Sequence, residues 1–515
     1  HHHAQLTGSS IVGYVTNNSF LDGLIHRAMR KHLLDDFGRI VILDLRGSTR
    51  RGDTADANIS DANVFDIQQG VTITFLVRGS SHSISTSVEH GVVMGCRESK
   101  YATLSSLSIE FTTFSNIQPE APFFFFAPKD FGLKVEYNRF LGWDDLFHEF
   151  KLGFMSGNDQ LLIDTDAGVL RRRIQRVLDP SISEKKAAVE FSIQENYPIG
   201  RMRRARFDKR KVIKCGYRPF DERFTYYDDH VMERALYSIN RHLMRENLAI
   251  CVSRQLSRLP YRHVFVTNKV TEMSLVSNKT KEANRVVPLY LYRSEDAAIL
   301  ESVTNEERQP NIKREAMTLV GGILGLRWLE DGQGDLASSI GPESIFFYTY
   351  GVLHSPIFRK RYAPFLEIDF PRVPLPGSLD LFRALANLGG ELVALHLMES
   401  PKLDKHITAF QGDRSREVEK VSYSKETVWI DKILKTGFKG VPEEVWNFHI
   451  GGYQVCQKWL KDRKGRTLSE EDITHYHRIV VALKETIRLM AEIDVVIEKH
   501  GGWPDAFATS VKKDS

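Results

Sequence analysis

Asn17 and Asn18 close the run IVGYVT, at the carboxyl end of a strand, where an α/β fold places its ligands. The same Asn-Asn-Ser also suits a turn that caps the following helix, and on these residues alone the turn is favoured. Phe65, in Asn63-Val64-Phe65, follows a long polar loop containing RGSTRR (Arg46–Arg51), which sets an aromatic beside side chains able to bind phosphate. An enzyme acting on a base takes it out of the stack and often clamps it against an aromatic face. A single Phe ahead of a strand is otherwise a core residue. Further basic clusters lie at Arg171–Arg176, Arg201–Lys214, Phe358–Tyr362 and Lys458–Arg466. Any one of them is more often a solvated face than a site. Five in a chain of net charge +4, several beside aromatics, favour a polyanion partner.

The elements that must position these residues are legible. Ile11 to Val77 reads as strand, turn, helix, strand, loop, strand, with Ile25, Met29, Leu33 and Phe37 predicted to cover the sheet. This is the closing half of a doubly wound α/β domain, lacking the half that would carry a cofactor loop. Ala121–Ala127, with four consecutive Phe, reads as a buried strand, and LLID after GFMSGND as a short strand. Leu379–Leu397 has helical spacing. The clearest helix runs from about Glu470 to His500, with Tyr476, Ile479, Val480, Leu483, Ile487, Met490, Ile493 and Ile497 on one face. Ser469 and Asp472 are placed to cap it. Trp446 and Trp459 read as core. Gly451 and Gly452 suit either a turn or a close backbone approach.

At 515 residues the chain is too long for one core. We expect an α/β partial doubly wound domain at 1–130, a mixed basic segment at 131–288 and a helix-rich region at 289–515. The sequence has no run of about 18 apolar residues and no secretory pattern, so neither a membrane span nor export is supported. Cys96, Cys215, Cys251 and Cys456 lack zinc or disulfide spacing, which fits a cytoplasmic protein with reduced thiols and no metal site.

GYVTNNSFLDG, MRKHLLDDFGRIVILDLRGSTRR and NVFDIQQGVTI resemble the later motifs of gamma-class DNA adenine amino-methyltransferases, and more narrowly the methyltransferase half of Type ISP restriction–modification enzymes. Those single polypeptides join a nuclease, a helicase-like motor, a methyltransferase and a target-recognition domain. YRPFDERFTYY and VVPLYLY match well, and GFMSGND more loosely. YGVLHSPIFRKRYAPFLEIDFPRVPLP and NFHIGGYQVCQKWLKDRKGRTLSEEDITHY resemble the carboxyl-terminal specificity domain. The pattern departs at Arg78–Gly91, a local expansion, and at Asn305–Glu343, which matches no motif.

The resemblance implies methyl transfer from S-adenosylmethionine to the exocyclic amine of an adenine flipped out of duplex DNA. The Asn-Pro-Pro-aromatic motif and the cofactor motif of such enzymes are not in these 515 residues. No catalytic residue is therefore expected in this chain, which would be inactive alone. The missing nuclease, motor and methyltransferase parts would belong to the same polypeptide or a separate subunit. Phe65 matches the aromatic that packs against the flipped base, and Asn17 and Asn18 lie near that pocket. Arg46, Arg50, Arg51, Lys458, Lys461, Arg463, Lys464 and Arg466 are the expected DNA contacts, more of them to phosphate than to bases. An alternative is a non-catalytic specificity module that partners a separate methyltransferase or nuclease subunit. An unrelated α/β enzyme is opposed by the lack of any glycine-rich phosphate loop, metal-ligand cluster or nucleophile–base spacing.

Overall fold

The alternating and apolar runs near the amino end form the predicted strands: β1 (Ser10–Asn17), β2 (Arg39–Arg46) and β3 (Val71–Arg78). The computed structural model describes residues 9–48, 54–56, 59–79, 86–106, 113–193, 197–257, 260–293, 308–412 and 415–508. The chain divides into two compact units, His1–Gly132 and Leu133–Ser515, and the expected boundary at 288/289 falls inside the second. No described helix is long and apolar enough to cross a membrane.

In the first unit, helix α1 (Arg27–Asp36) links β1 to β2; β4 (Ser87–Val92), helix α2 (Arg97–Ser106) and β5 (Ser115–Ile117) follow. The sheet order is β1-β3-β2-β4-β5. β3 lies between β1 and β2 and runs antiparallel to both, pairing Asn17 with Val71 and Arg39 with Val77, while β4 runs parallel to β2. One face packs Phe20, Leu21, Leu33, Phe37, Ile40, Ile42, Leu76, Val88 and Phe126; the other packs Leu45, Val64, Val71 and Val93.

The covering face of α1 differs from the predicted one. Leu33 and Phe37 are buried, but Ile25 is 88% and Met29 40% exposed. Ile25 sits in a 3-10 turn before the α-helix starts, so its helical phase does not carry over. Arg30 takes the inward position and is fully buried. Its guanidinium donates to the carbonyls of Phe20 (2.6 Å), Gly23 (2.8 Å) and Phe123 (2.6 Å). Burial lowers its pKa to about 10. The same contact explains the Phe run. Ala121–Ala127 is an irregular loop, not a strand, bent at Phe124 (φ +50°) so that the Phe123 carbonyl and the Phe125 ring meet Arg30.

In the second unit, β6 (Lys151–Leu152) and β7 (Ile163–Asp164) are short; of the predicted short strand LLID only Ile163–Asp164 forms, because Leu161 and Leu162 complete a helical turn, Asp159–Leu162. Helix α3 (Ala167–Leu178) and strands β8 (Val212–Arg218), β9 (Asp221–Tyr226), β10 (Ala249–Ser253), β11 (Val264–Thr267) and β12 (Asn284–Pro288) follow. They form two antiparallel sheets, β8-β9-β7 and β11-β10-β12-β6.

Helices α4 (Pro342–His354), α5 (Leu379–His396), α6 (Val455–Lys461) and α7 (Glu470–Lys499) build the helical part. α4 and α5 touch backbone to backbone: a Cβ on Gly389 would lie 1.9 Å from the Phe347 carbonyl oxygen, so only glycine fits. α7 begins with the predicted box, Ser469 Oγ accepting from Asp472 N (3.1 Å) and Asp472 Oδ2 accepting from Ser469 N (3.1 Å). Its inward face includes Tyr476, Ile479, Val480, Leu483, Ile493 and Ile497, but Ile487 and Met490 are only half-buried and Thr486 and Leu489 go in instead.

A polar contact sets that phase. The Thr486 hydroxyl donates to the Ala482 carbonyl (2.7 Å) and accepts from His396 Nε2 (2.9 Å), while the Tyr350 hydroxyl donates to His396 Nδ1 (2.5 Å). Both ring nitrogens are satisfied in the neutral form, and burial pulls the His396 pKa down to about 3. The folded state thus refuses a proton that the unfolded chain accepts below about 6.5. This contribution to stability is complete above that pH and is lost as the pH falls toward 3. Relative to an His396→Asn variant, the wild-type Tm should drop between about pH 6.5 and 4; parallel Tm–pH curves would contradict this.

Candidate nucleic-acid interface

At the carboxyl end of β1, both asparagines act as clasps. Asn17 Oδ1 accepts from Ser19 N (2.7 Å) and its Nδ2 donates to Gln69 Oε1 (2.8 Å). Asn18 is buried; its Nδ2 donates to Asp44 Oδ1 (3.0 Å) and its backbone N to the Gly70 carbonyl (2.8 Å). The turn is therefore present, but Asn18, at the cap position of the helical turn Ser19–Asp22, makes no side-chain cap bond; it ties the end of β1 to β2 and to the start of β3 instead. Beneath Asp44 lies His90, 5% exposed, with Nε2 4.0 Å from Asp44 Oδ2; burial lowers its pKa against the pull of that carboxylate.

The loop before β3 is held from below by α2. Lys100 and Asp61 are both fully buried, with Nζ 2.8 Å from Oδ1. Lys100 Nζ also donates to the carbonyls of Leu45 (2.6 Å) and Ala62 (2.7 Å), while Asp61 accepts from Gly47 N (2.9 Å) and Gly95 N (2.8 Å). Arg97 Nε donates to the Asn63 carbonyl (2.9 Å), its Nη2 to Asp66 Oδ1 (2.7 Å), and the Tyr101 hydroxyl to the Val64 carbonyl (2.6 Å). Asn63 Nδ2 donates to the carbonyls of Gly47 (3.1 Å) and Gln69 (2.6 Å), and Asn63 Oδ1 accepts from Phe65 N (2.9 Å).

The outcome is a rigid loop whose aromatic points away from the core: Phe65 is 48% exposed. Arg46 ends β2 with φ +48°, its guanidinium against Met94 Sδ (3.2 Å). Arg50 and Arg51 lie outside the described residues. The residue spacing pointed to Phe65 and not to Lys100 or Asp61. The one available signal was the Asx-rich DANVF ahead of a strand, which suits side chain-to-backbone bonding in a loop.

In the second unit, three separated blocks meet. The Tyr217 ring lies between the guanidinium groups of Arg218 (3.8 Å from the ring centroid) and Arg223 (4.0 Å), and its hydroxyl donates to Asp159 Oδ2 (2.9 Å). Arg218 Nη1 donates to Glu272 Oε2 (2.7 Å). Arg223 Nη2 donates to Asp221 Oδ2 (2.8 Å), whose other oxygen accepts from Arg463 Nη2 (2.9 Å). Burial would raise the Asp221 pKa, yet Arg463 and Arg223 hold it below the usual carboxylate range. GFMSGND, YRPFDERFTYY and the carboxyl-terminal block thus share one ionic network.

That network corrects one expected DNA contact. Arg463 is 6% exposed, stacked 3.4 Å above the Trp459 ring centroid and committed to Asp221, so it is an internal strut. Lys458 Nζ donates to Asp462 Oδ1 (2.6 Å) and Lys461 Nζ to Gln457 Oε1 (2.8 Å), whereas Lys464 and Arg466 are exposed. Other basic clusters are also partly spent internally. Arg173 pairs with Asp164 (2.9 Å), Arg361 with Glu136 (2.9 Å), Arg176 with Glu190 and Lys211 with Asp228, and Arg359 is buried. Arg171, Arg172, Arg204, Arg206 and Lys209 are exposed, the last two rimming an open hollow with Phe207.

Trp446 and Trp459 are core, as predicted. Gly451 serves both as turn and as close approach: its φ is +55° and a Cβ would lie 1.8 Å from the Val276 carbonyl oxygen. A cleft of about 490 Å³ opens between β8, β11 and the first turn of α7, with Arg218, Phe265, His396 and Trp459 among its walls. Among the described residues, no group of three or more His, Cys, Asp or Glu is placed to hold a metal ion.

A family model described as the Type ISP C-terminal specificity domain matches residues 145–492, more than half of the chain. No curated protein sequence matches it. Among solved structures, the fold is similar to that of a DrdV–DNA complex determined by cryoEM (TM-score 0.71, 21% identity, covering 95% of this chain and 51% of that one). It is also similar to the ATP-dependent Type ISP restriction–modification enzyme LlaBIII bound to DNA (0.71, 19%, 95% and 33%). A nuclease-deletion mutant of the Type ISP restriction–modification enzyme LlaGI with a DNA substrate mimic is a third (0.68, 18%, 95% and 46%). The chain spans between one third and about half of the length of these structures.

Proposed function

Because this chain belongs to the Type ISP C-terminal specificity domain family, we propose that it recognises the DNA target of a restriction–modification enzyme. The match over residues 145–492 carries this reading. The three similar structures are of proteins with DNA or a DNA mimic bound, which supports duplex DNA as the partner. Recognition would rest on the Leu133–Ser515 unit, with exposed Lys464 and Arg466 fixing register on phosphates.

In the same reading, the first unit is the target-base side of an adenine-N6 methyltransferase. Its support is the exposed, rigidly held Phe65 and the reversed strand β3 between two parallel ones. Among the described residues the outer edge of β1 has no partner strand, and Ile11 and Val15 beside it are 72% and 54% exposed. Such an edge suits pairing with a further strand from the remaining part of the enzyme. S-adenosylmethionine would be the methyl donor. The described residues offer it no glycine-rich cradle, and the ends of β1 and β2 are occupied by the Asn18–Asp44–Gly70 clasp. In this reading, cofactor binding and the Asn-Pro-Pro-aromatic chemistry belong to the remaining part of the enzyme, and this chain is expected to transfer no methyl group alone.

A salt titration tests the DNA claim. Affinity for duplex should fall roughly tenfold or more between about 50 and 200 mM salt, as phosphate contacts release counterions. A flat response would contradict duplex binding.

A further inference from the structure

Three polar side-chain atoms of the second unit, Arg218 Nε, Trp459 Nε1 and Asp462 Oδ2, are buried without a hydrogen-bond partner. All three residues line one small void between the β8–β9 turn and α6. Arg218 is 8% exposed and directs Nη1 at Glu272 Oε2 (2.7 Å) and at the Tyr217 carbonyl (2.5 Å), which leaves its Nε–H. Trp459 is 2% exposed. Asp462 accepts from Lys458 on Oδ1 (2.6 Å), and the nearest cation to its Oδ2, Arg223 Nη2, is 3.7 Å away, too far for a hydrogen bond. The space open to the centre of a water molecule is about 10 Å³, near the minimum that holds one.

We propose that this void is a binding site for a single ordered water molecule, which accepts from Arg218 Nε–H and Trp459 Nε1–H and donates to Asp462 Oδ2. Two donors and one acceptor match a water's two lone pairs and one of its O–H groups, and three bonds are usual for a buried water. A chloride would satisfy both N–H groups but sit against the Asp462 carboxylate. A cation would face the Arg218 guanidinium. Arg218 and Trp459 also border the larger cleft, but Asp462 does not; the small void is the one of the two that all three residues line. The water joins YRPFDERFTYY to the carboxyl-terminal block and holds Arg218 at the edge of the Tyr217 stack. Without it, three polar groups would bear their full desolvation cost.

The test is a crystal structure of this chain at a resolution where ordered solvent is refined. One solvent peak should lie within hydrogen-bond distance of all three atoms. An empty void, a direct Arg218–Asp462 contact or anomalous signal from a halide would overturn the proposal. In Trp459→Phe, checked for folding by circular dichroism, the peak should weaken or vanish while the Arg218–Glu272 pair persists. Unchanged density there would also overturn it, and the wild-type map decides alone if that variant does not fold.

Discussion

Lys100→Met should loosen the first unit by about 3–5 kcal/mol, the usual cost of leaving one member of a buried ion pair uncompensated. Met keeps the length and apolar stem of the lysine, so packing changes little. What is lost is the charge facing Asp61 and the bonds to the Leu45 and Ala62 carbonyls. Asp61 keeps, among the described residues, the Gly47 and Gly95 amides. Hydrogen exchange reads the effect locally. Peptides covering Arg39–Arg46 and Val71–Arg78 should lose about two to three powers of ten in protection, at 1.36 kcal/mol per power of ten. Unchanged protection would show that the pair is dispensable and that Phe65 is positioned by other means. Lys100→Met/Asp61→Leu should recover much of the loss, since replacing both members of a buried pair by apolar groups is often neutral.

Arg463→Ala should cost a similar amount in the second unit. It strips Asp221 of one of two cations in a fully buried position, removes the stack on Trp459 and breaks the link to Asp472, whose side chain caps α7. All six tryptophans lie between Trp143 and Trp503, so tryptophan emission during urea unfolding reports this unit alone. The midpoint should shift strongly, with DNA binding lost only as folding is lost. Lys464→Ala and Arg466→Ala should leave the midpoint within about 0.5 kcal/mol and instead reduce the salt slope of DNA binding by about one each. A wild-type midpoint in Arg463→Ala with a reduced slope would reverse these assignments and return Arg463 to the DNA surface.

These contrasts mark what the sequence holds and what it hides. Strands β1, β2 and β3 and helices α5 and α7 are legible because hydrophobic period and caps are local signals. Ser469 and Asp472 cap α7 as their spacing implies. The rotation of α1 is not legible, because a 3-10 turn puts Ile25 out of helical phase and an arginine that finds three carbonyls takes the inward position in place of Met29. The Phe run fails as a strand for the same reason, since its hydrophobicity does not reveal where its carbonyls bond. Charge is the least legible property. Arg463 and Lys464 are adjacent and equally basic in sequence, yet one is sealed against Asp221 and the other exposed, and only tertiary pairing separates them. Phe65 was readable as an aromatic next to a basic loop. The Lys100–Asp61 hub that holds its loop was not, because neither residue sits in a recognisable motif.

Target recognition is tested most directly by retaining a randomised DNA duplex pool on this chain at moderate salt and sequencing what stays bound. One enriched, asymmetric motif containing an adenine is the expected result, because a specificity domain reads base edges beyond its phosphate contacts. Retention without enrichment, or no retention, would contradict target recognition by this chain.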